Sequence, residues 1–250
     1  MLTFYKGHAN AMSKLILKMV SSDETFLNRA AKQEKEKIPF FIKSKYKVVS
    51  NDYKKFEFHT INQKSKNNKH ILYFHGGALC LNGSISHWMM IDKWVKKTDA
   101  KATYINYPMI PKYKTNEIFR KSFYIYKHIL NLYPDDEMIL MGDSAGALVI
   151  LSILQMINEE KEKKPKAIML ISPWLDFSLS SLDIKDFEKD DKVLSLDRFK
   201  GLEAYEAKDR TMISPMYYHY DEKIHIYAGT NDILYPDMHF FEEHNPILHF

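Results

Sequence analysis

An α/β fold built on a mainly parallel sheet is the class that this 250-residue sequence predicts. Three observations carry the prediction. Short apolar runs recur at Ile71–Phe74, Met138–Met141, Ala167–Ile171 and Ile224–Ala228, each the length of a buried strand. Stretches with helical apolar spacing stand between them. The composition, 45% hydrophobic and 27% charged, is that of a globular chain.

The elements follow in order. The first 40 residues read as helical, with Met12, Leu15, Ile16, Met19 and Val20 at helix spacing and the charged run Lys32–Lys37 after them. Tyr46–Val49 and Phe56–Phe58 read as a hairpin at a sheet edge. Ile71–Phe74 is the first buried strand, and Ser86–Lys97 the helix behind it. Ala102–Tyr107 is strand-like, and Asn116–Leu132 is a helix closed by Pro134. Met138–Met141 is strand, Ala145–Glu159 helix and Ala167–Ile171 strand. Residues 176–212 are polar, irregular and partly helical. Ile224–Ala228 is strand, Pro236–Glu243 helix, and Ile247–Phe250 the start of another strand. The whole chain, 1–250, reads as one domain, with 1–40 and 178–212 lying together over one end of the sheet and 41–177 and 213–250 forming its core.

Composition excludes several functions. The net charge is only +4, the basic residues are mostly Lys, and the Lys-rich stretches alternate with Glu, so no nucleic-acid partner is expected. Cys80 is the single cysteine, which rules out an intrachain disulfide and suits a reducing, cytoplasmic location. It reads as a small core or pocket-wall residue. No apolar run approaches the length of a membrane span. No Cys/His set has zinc spacing, no carboxylate cluster suggests calcium, and no Gly-rich phosphate loop is present, so neither metal nor cofactor is expected.

Two motifs carry chemistry. Gly142-Asp143-Ser144-Ala145-Gly146 stands between an apolar strand and a helix. That is the context in which a Gly-x-Ser-x-Gly serine is thrown out on a tight, strained turn as a nucleophile. The alternative is a plain helix N-cap serine. His75-Gly76-Gly77-Ala78 follows the end of another buried strand. Consecutive backbone N–H groups on such a loop can hold an oxyanion beside the elbow; alone, it would be an ordinary Gly-Gly turn.

Together the motifs resemble the hormone-sensitive-lipase-like branch of the α/β-hydrolase fold, the acetyl-esterase and carboxylesterase group. That family carries His-Gly-Gly-Gly and then Gly-Asp-Ser-Ala-Gly-Gly. Tyr107–Pro111, Ser172-Pro173-Trp174-Leu175-Asp176, Asp191–Leu194, Ile213–Pro215 and Gly229–Asp237 follow in the family's order, so the resemblance spans roughly residues 50–240. It implies an α/β-hydrolase sheet flanked by helices under a helical lid. It implies Ser144 as nucleophile, Asp232 as the acid that orients the base, and backbone N–H groups of Gly77, Ala78 and Ala145 as oxyanion donors. Alanine at 78 is accommodated if φ there is negative. His75 and Gly76 would support the loop, and Asp143 would be structural. Asp237 is the weaker candidate for the acid. Trp174 reads as core or pocket wall, and Trp88 as core or acyl-pocket lining.

The base is harder to place. In this fold it follows the acid after a further helix and strand, and eighteen residues follow Asp232. His239 falls inside the predicted helix and His244 at its end. His249 has the right order and is the candidate base, although it would sit in the last strand itself. The alternative expectation is a chain shortened before the family's histidine. The expected function is hydrolysis of short-chain carboxylic esters through an acyl-enzyme, with the ester as the only partner and homo-oligomerisation left open. The competing reading is a small-molecule binder of the same fold with impaired or lost catalysis.

Overall fold

The computed structural model describes residues 24–191, 193–206 and 214–245. Two short helices, α1 (Phe26–Lys32) and α2 (Phe40–Lys45), precede the sheet. Residues 33–39 between them carry no regular structure, so the charged run does not continue a helix. The first strand, β1 (Val49–Tyr53), begins where Tyr46–Val49 was expected to end. It pairs antiparallel with β2 (Phe56–Ile61) across a two-residue turn, Lys54–Lys55, with φ of 50° and 76°. Positive φ at both positions gives the turn the hand that matches strand twist.

Five parallel strands follow: β3 (Lys69–Phe74), β4 (Lys101–Ile105), β5 (Glu137–Asp143), β6 (Ala167–Ile171) and β7 (Ile224–Tyr227). The sheet order is β1-β2-β4-β3-β5-β6-β7. Helices α3 (Ile85–Thr98), α4 (Thr115–Leu132) and α5 (Ala145–Glu160) cross between the strands. A short α6 (Ile184–Glu188) and 3₁₀ turns at Leu196–Phe199 and Leu202–Tyr205 fill the irregular segment. Helix α7 (Tyr235–His244) follows β7. The predicted strand Ile247–Phe250, the helical spacing at Met12–Val20 and the candidate His249 lie outside the described residues. Among the described residues, no helix is long and apolar enough to cross a membrane.

Alternation along β3 divides the core. Leu72 and Phe74 face one apolar cluster with α4 and α5, while Ile71 and Tyr73 face a second with Ile42, Trp88 and Ile91. Helix α5 is buried at every position from Ala145 to Ile157, which explains why that stretch is apolar apart from Ser152 and Gln155. The chain passes from β3 outward to β4 and then back to β5 on the other side of β3. At such a reversal the loops leaving the carboxyl ends diverge and open a crevice. The loops after β3 and β5 are the two motif loops.

The opposite end of the sheet is sealed by a polar network. His70 Nδ1 lies 3.0 Å from Asp136, its Nε2 2.7 Å from Thr103 Oγ1, and Lys101 Nζ 2.5 and 2.6 Å from Asp136. Burial pushes the His70 pKa down to about 4, more than Asp136 raises it. The ring is therefore neutral at pH 7, donating to Asp136 and accepting from Thr103. This hydroxyl–imidazole–carboxylate set is buried at the end of the sheet away from the motif loops.

His70→Leu removes one hydrogen bond each from the buried Asp136 and Thr103, which keep Lys101 and Thr60, and is expected to cost about 2 kcal/mol at pH 7. The native pKa lies below the unfolded one, so the stability that His70 brings is lost as pH falls from 6.5 toward 4. The gap between parent and variant in urea unfolding should narrow across that window.

Candidate active site

Ser144 sits between β5 and α5 at φ 48° and ψ −120°, a conformation that costs a non-glycine residue about 1–3 kcal/mol. The turn is held on both sides. Ser144 N donates to the Ile171 carbonyl at 2.9 Å, and its own carbonyl accepts from Trp174 N at 3.1 Å. The flanking glycines are steric requirements. A Cβ on Gly146 would lie 2.0 Å from the Phe74 carbonyl oxygen, and one on Gly142 would lie 2.8 Å from that same atom. The start of α5 is thereby pressed against the end of β3. Ala145 is the first helical residue, so its N–H has no partner within the helix.

The loop after β3 folds into a tight turn in which Cys80 N and Leu81 N both donate to the Gly77 carbonyl, at 3.0 and 2.8 Å. Gly77 has φ 119°. The condition set for alanine at 78, a negative φ, is not met: Ala78 and Leu79 adopt φ of 53° and 58°. Two successive left-handed non-glycine residues place strain in this loop as well. His75 is buried, with Nδ1 2.7 Å from the Gly76 carbonyl and its ring stacked on Tyr104 and Tyr107. Burial lowers its pKa to about 4.

Asp143 joins the two loops. It accepts from Gly76 N at 2.9 Å and from the Tyr73 hydroxyl, and His87 Nε2 lies 3.3 Å away. Burial pushes the Asp143 carboxyl up, but His87, Tyr73 and Gly76 outweigh it and hold it below the ordinary range. For His87, burial lowers the pKa while Asp143 and Glu36 more than offset it. Ser84 N donates to His87 Nδ1 at 2.9 Å, which leaves the ring proton on Nε2, toward Asp143. His87 was not singled out in the sequence; its only trace is the Ser84-to-His87 spacing of a capping box.

Asp232 accepts from Leu234 N at 3.0 Å. Burial pushes its pKa up to about 6, against Leu234 N–H and the Ser172 hydroxyl, with Asp191 adding to the rise. Asp191 braces this loop, accepting from Val193 N, Leu194 N and Ile233 N at 2.7, 2.9 and 3.0 Å. Asp237 is buried elsewhere, near Asp176, and its pKa is pushed up to about 7 mainly by burial.

One cavity of about 600 Å³ is lined by Gly76, Gly77, Ala78, His87, Ser144 and Asp232, with apolar walls from Phe26, Leu81, Val193, Leu194, Phe199 and Leu234. Ser144, the Gly-rich loop and Asp232 are thus brought together. His239 is exposed beside Glu242 and Glu243, and His244 stacks on Phe240; neither lines the cavity. Trp88, on the buried face of α3, belongs to the second apolar cluster and donates to Glu36. Trp174 is core. Burial raises the Cys80 thiol to about 12, so it is inert. Among the described residues, no group of His, Cys, Asp or Glu is placed to hold a metal.

A family model described as alpha/beta hydrolase fold matches residues 71–245. An esterase of Acinetobacter venetianus is 27% identical over 182 residues, covering 69% of this chain and 60% of that protein. Esterase LipU of Mycobacterium tuberculosis is 29% identical over 138 residues, 55% of this chain and 46% of that protein. The matches thus span less than two thirds of either relative's length. The crystal structure of an esterase from the bacterial hormone-sensitive lipase family superposes with a TM-score of 0.76 at 16% identity. That superposition covers 93% of this chain and 83% of the other, a likeness of fold.

Two variants probe the site's mechanics. Gly146→Ala should destabilise by about 3 kcal/mol or more in urea unfolding, because backbone rather than a flexible side chain opposes the new methyl group. Asp232→Asn should do the opposite at high pH. Its native pKa, about 6, lies above the ordinary 3.8, so the stability Asp232 contributes is lost as pH rises through 6. The asparagine variant should gain about 1–3 kcal/mol over the parent at pH 8, and the gain should vanish near pH 4.

Proposed function

We propose that this chain, which belongs to the alpha/beta hydrolase fold family matched over residues 71–245, is a serine hydrolase of short-chain carboxylic esters. The observation that carries this reading is Ser144 at φ 48°, on a strand–helix turn, sharing one cavity with Gly77, Ala78 and Asp232. The naming of two relatives as esterases supports it.

In this reading Ser144 Oγ attacks the ester carbonyl as a base takes its proton. The oxyanion accepts from the N–H groups of Gly77, Ala78 and Ala145, where the start of α5 adds its dipole. Collapse expels the alcohol, which receives the proton, and leaves an acyl-enzyme that water hydrolyses by the same steps. Asp232 orients the imidazole and stabilises its charged form. His87 is poorly suited as the base, since its ring nitrogens are engaged by Ser84 and Asp143. We assign the base to His249. The acyl group would lie against Phe26, Val193 and Phe199, with 1–40 and 178–212 acting as a lid over the core segments 41–177 and 213–250; the edge-on packing of Phe26 on Phe199 at 5.0 Å favours that grouping.

The test is hydrolysis of p-nitrophenyl acetate and butyrate. Ser144→Ala and His249→Ala should each lower kcat by about 10⁴-fold or more. Turnover should fall as pH drops through about 6, where Asp232 takes up a proton. A folded chain with no turnover above its Ser144→Ala control overturns the esterase reading in favour of a small-molecule binder of the same fold.

A further inference from the structure

The strained oxyanion loop needs restraint from outside itself. Gly77, Ala78 and Leu79 all hold positive φ, and such conformations persist only where neighbours fix them. From the core side, Ile110 N donates to the Leu79 carbonyl at 2.8 Å. On the other side the only side-chain amide that reaches the loop, among the described residues, belongs to Gln33. Its Nε2 donates to the Cys80 carbonyl at 2.8 Å, and its Oε1 accepts from Asn82 N at 2.7 Å. One planar group thus grips the backbone on both sides of Leu81. The rest of the strap follows the same line, with Asn82 Nδ2 donating to the Glu34 carbonyl at 2.7 Å and Trp88 Nε1 to Glu36 at 3.2 Å.

Gln33 caps the C-terminal end of α1, whose first residue is Phe26. Phe26 lines the cavity and packs against Phe199, and the Arg198 guanidinium lies 4.5 Å from its ring centroid. A helix of seven residues is about 10 Å long and moves as one piece. One end of α1 therefore shapes the wall of the cavity while the other holds the loop that carries the oxyanion donors.

We propose that Gln33 is a positioning residue: it clasps the oxyanion loop to α1, so that a group seated against Phe26 and the geometry of the Gly77 and Ala78 N–H donors are mechanically joined. This rests on the esterase reading for its catalytic consequence. Donor placement matters only once the oxyanion forms, so loss of the clasp acts on the transition state and not on ester binding.

The test uses Gln33→Met, which keeps length and packing but neither hydrogen bond, and Gln33→Ala. With p-nitrophenyl butyrate, kcat should fall on the order of 10-fold in both variants, less than the loss for a deleted oxyanion donor, with KM changed by less than about threefold. The melting temperature should stay within a few degrees of the parent. An unchanged kcat in Gln33→Met, or a fall in kcat that merely tracks loss of folded protein, overturns the proposal. If the unaltered chain hydrolyses no ester, the esterase reading has failed on its own account. Hydrogen–deuterium exchange then decides the clasp: Gln33→Met should speed exchange at the Leu81 and Asn82 amides, and unchanged exchange there refutes it.

Discussion

The architecture depends on how closely α5 can approach β3. The Phe74 carbonyl stands where a Cβ on either Gly142 or Gly146 would have to go. Only with both positions bare can the chain leave β5, reverse through Ser144 and enter a helix pressed onto the sheet. The close approach forces Ser144 into its unusual backbone geometry and turns the first helical amides toward the crevice. It also brings the end of β5 beside the loop leaving β3. The strain is balanced by burial of nearly the whole of α5, whose thirteen consecutive buried residues anchor the turn from behind.

A second constraint is electrostatic. Asp143 is a half-buried charged group on the cavity wall, and its stabilisation comes from Gly76, Tyr73 and His87. All three lie more than 50 residues before Asp143 in the chain, so neutralising this carboxylate ties the end of β3, α3 and the serine turn into one unit. Asp191 does similar work on the far wall, where three backbone amides converge on it from the 193–194 turn and the Asp232 loop. Asp232 is left with fewer donors, and burial raises its pKa to about 6.

Much of this was legible in the residues because local and global signals agree. The run Met138–Met141 followed by two spaced glycines cannot easily be anything other than a strand feeding a tight turn, and Ala167–Ile171 forms a strand with those same limits. Agreement fails where tertiary contacts decide. Ser50, Asn51 and Asp52 are poor strand formers, yet pairing with Phe56–Thr60 carries β1 through them. Lys32–Lys37 has the composition of a helix surface, but Gln33, Glu34 and Glu36 bond across to 80–88 and pull the backbone out straight. The left-handed φ of Ala78 has no trace in its residue type, since alanine normally avoids it. His87 was hidden for a different reason: its partner lies 56 residues away, and its only local mark is the capping-box spacing from Ser84.

The lone thiol has a practical consequence. Cys80 is buried in the Gly-rich loop after β3, and its thiol pKa is pushed up to about 12. The protein is therefore silent to maleimides and other sulfhydryl reagents while folded. A cysteine introduced anywhere on its surface would be a unique attachment point for a fluorophore or spin label. Movement of α1 relative to the sheet could then be followed in a single-label molecule without first stripping out native thiols.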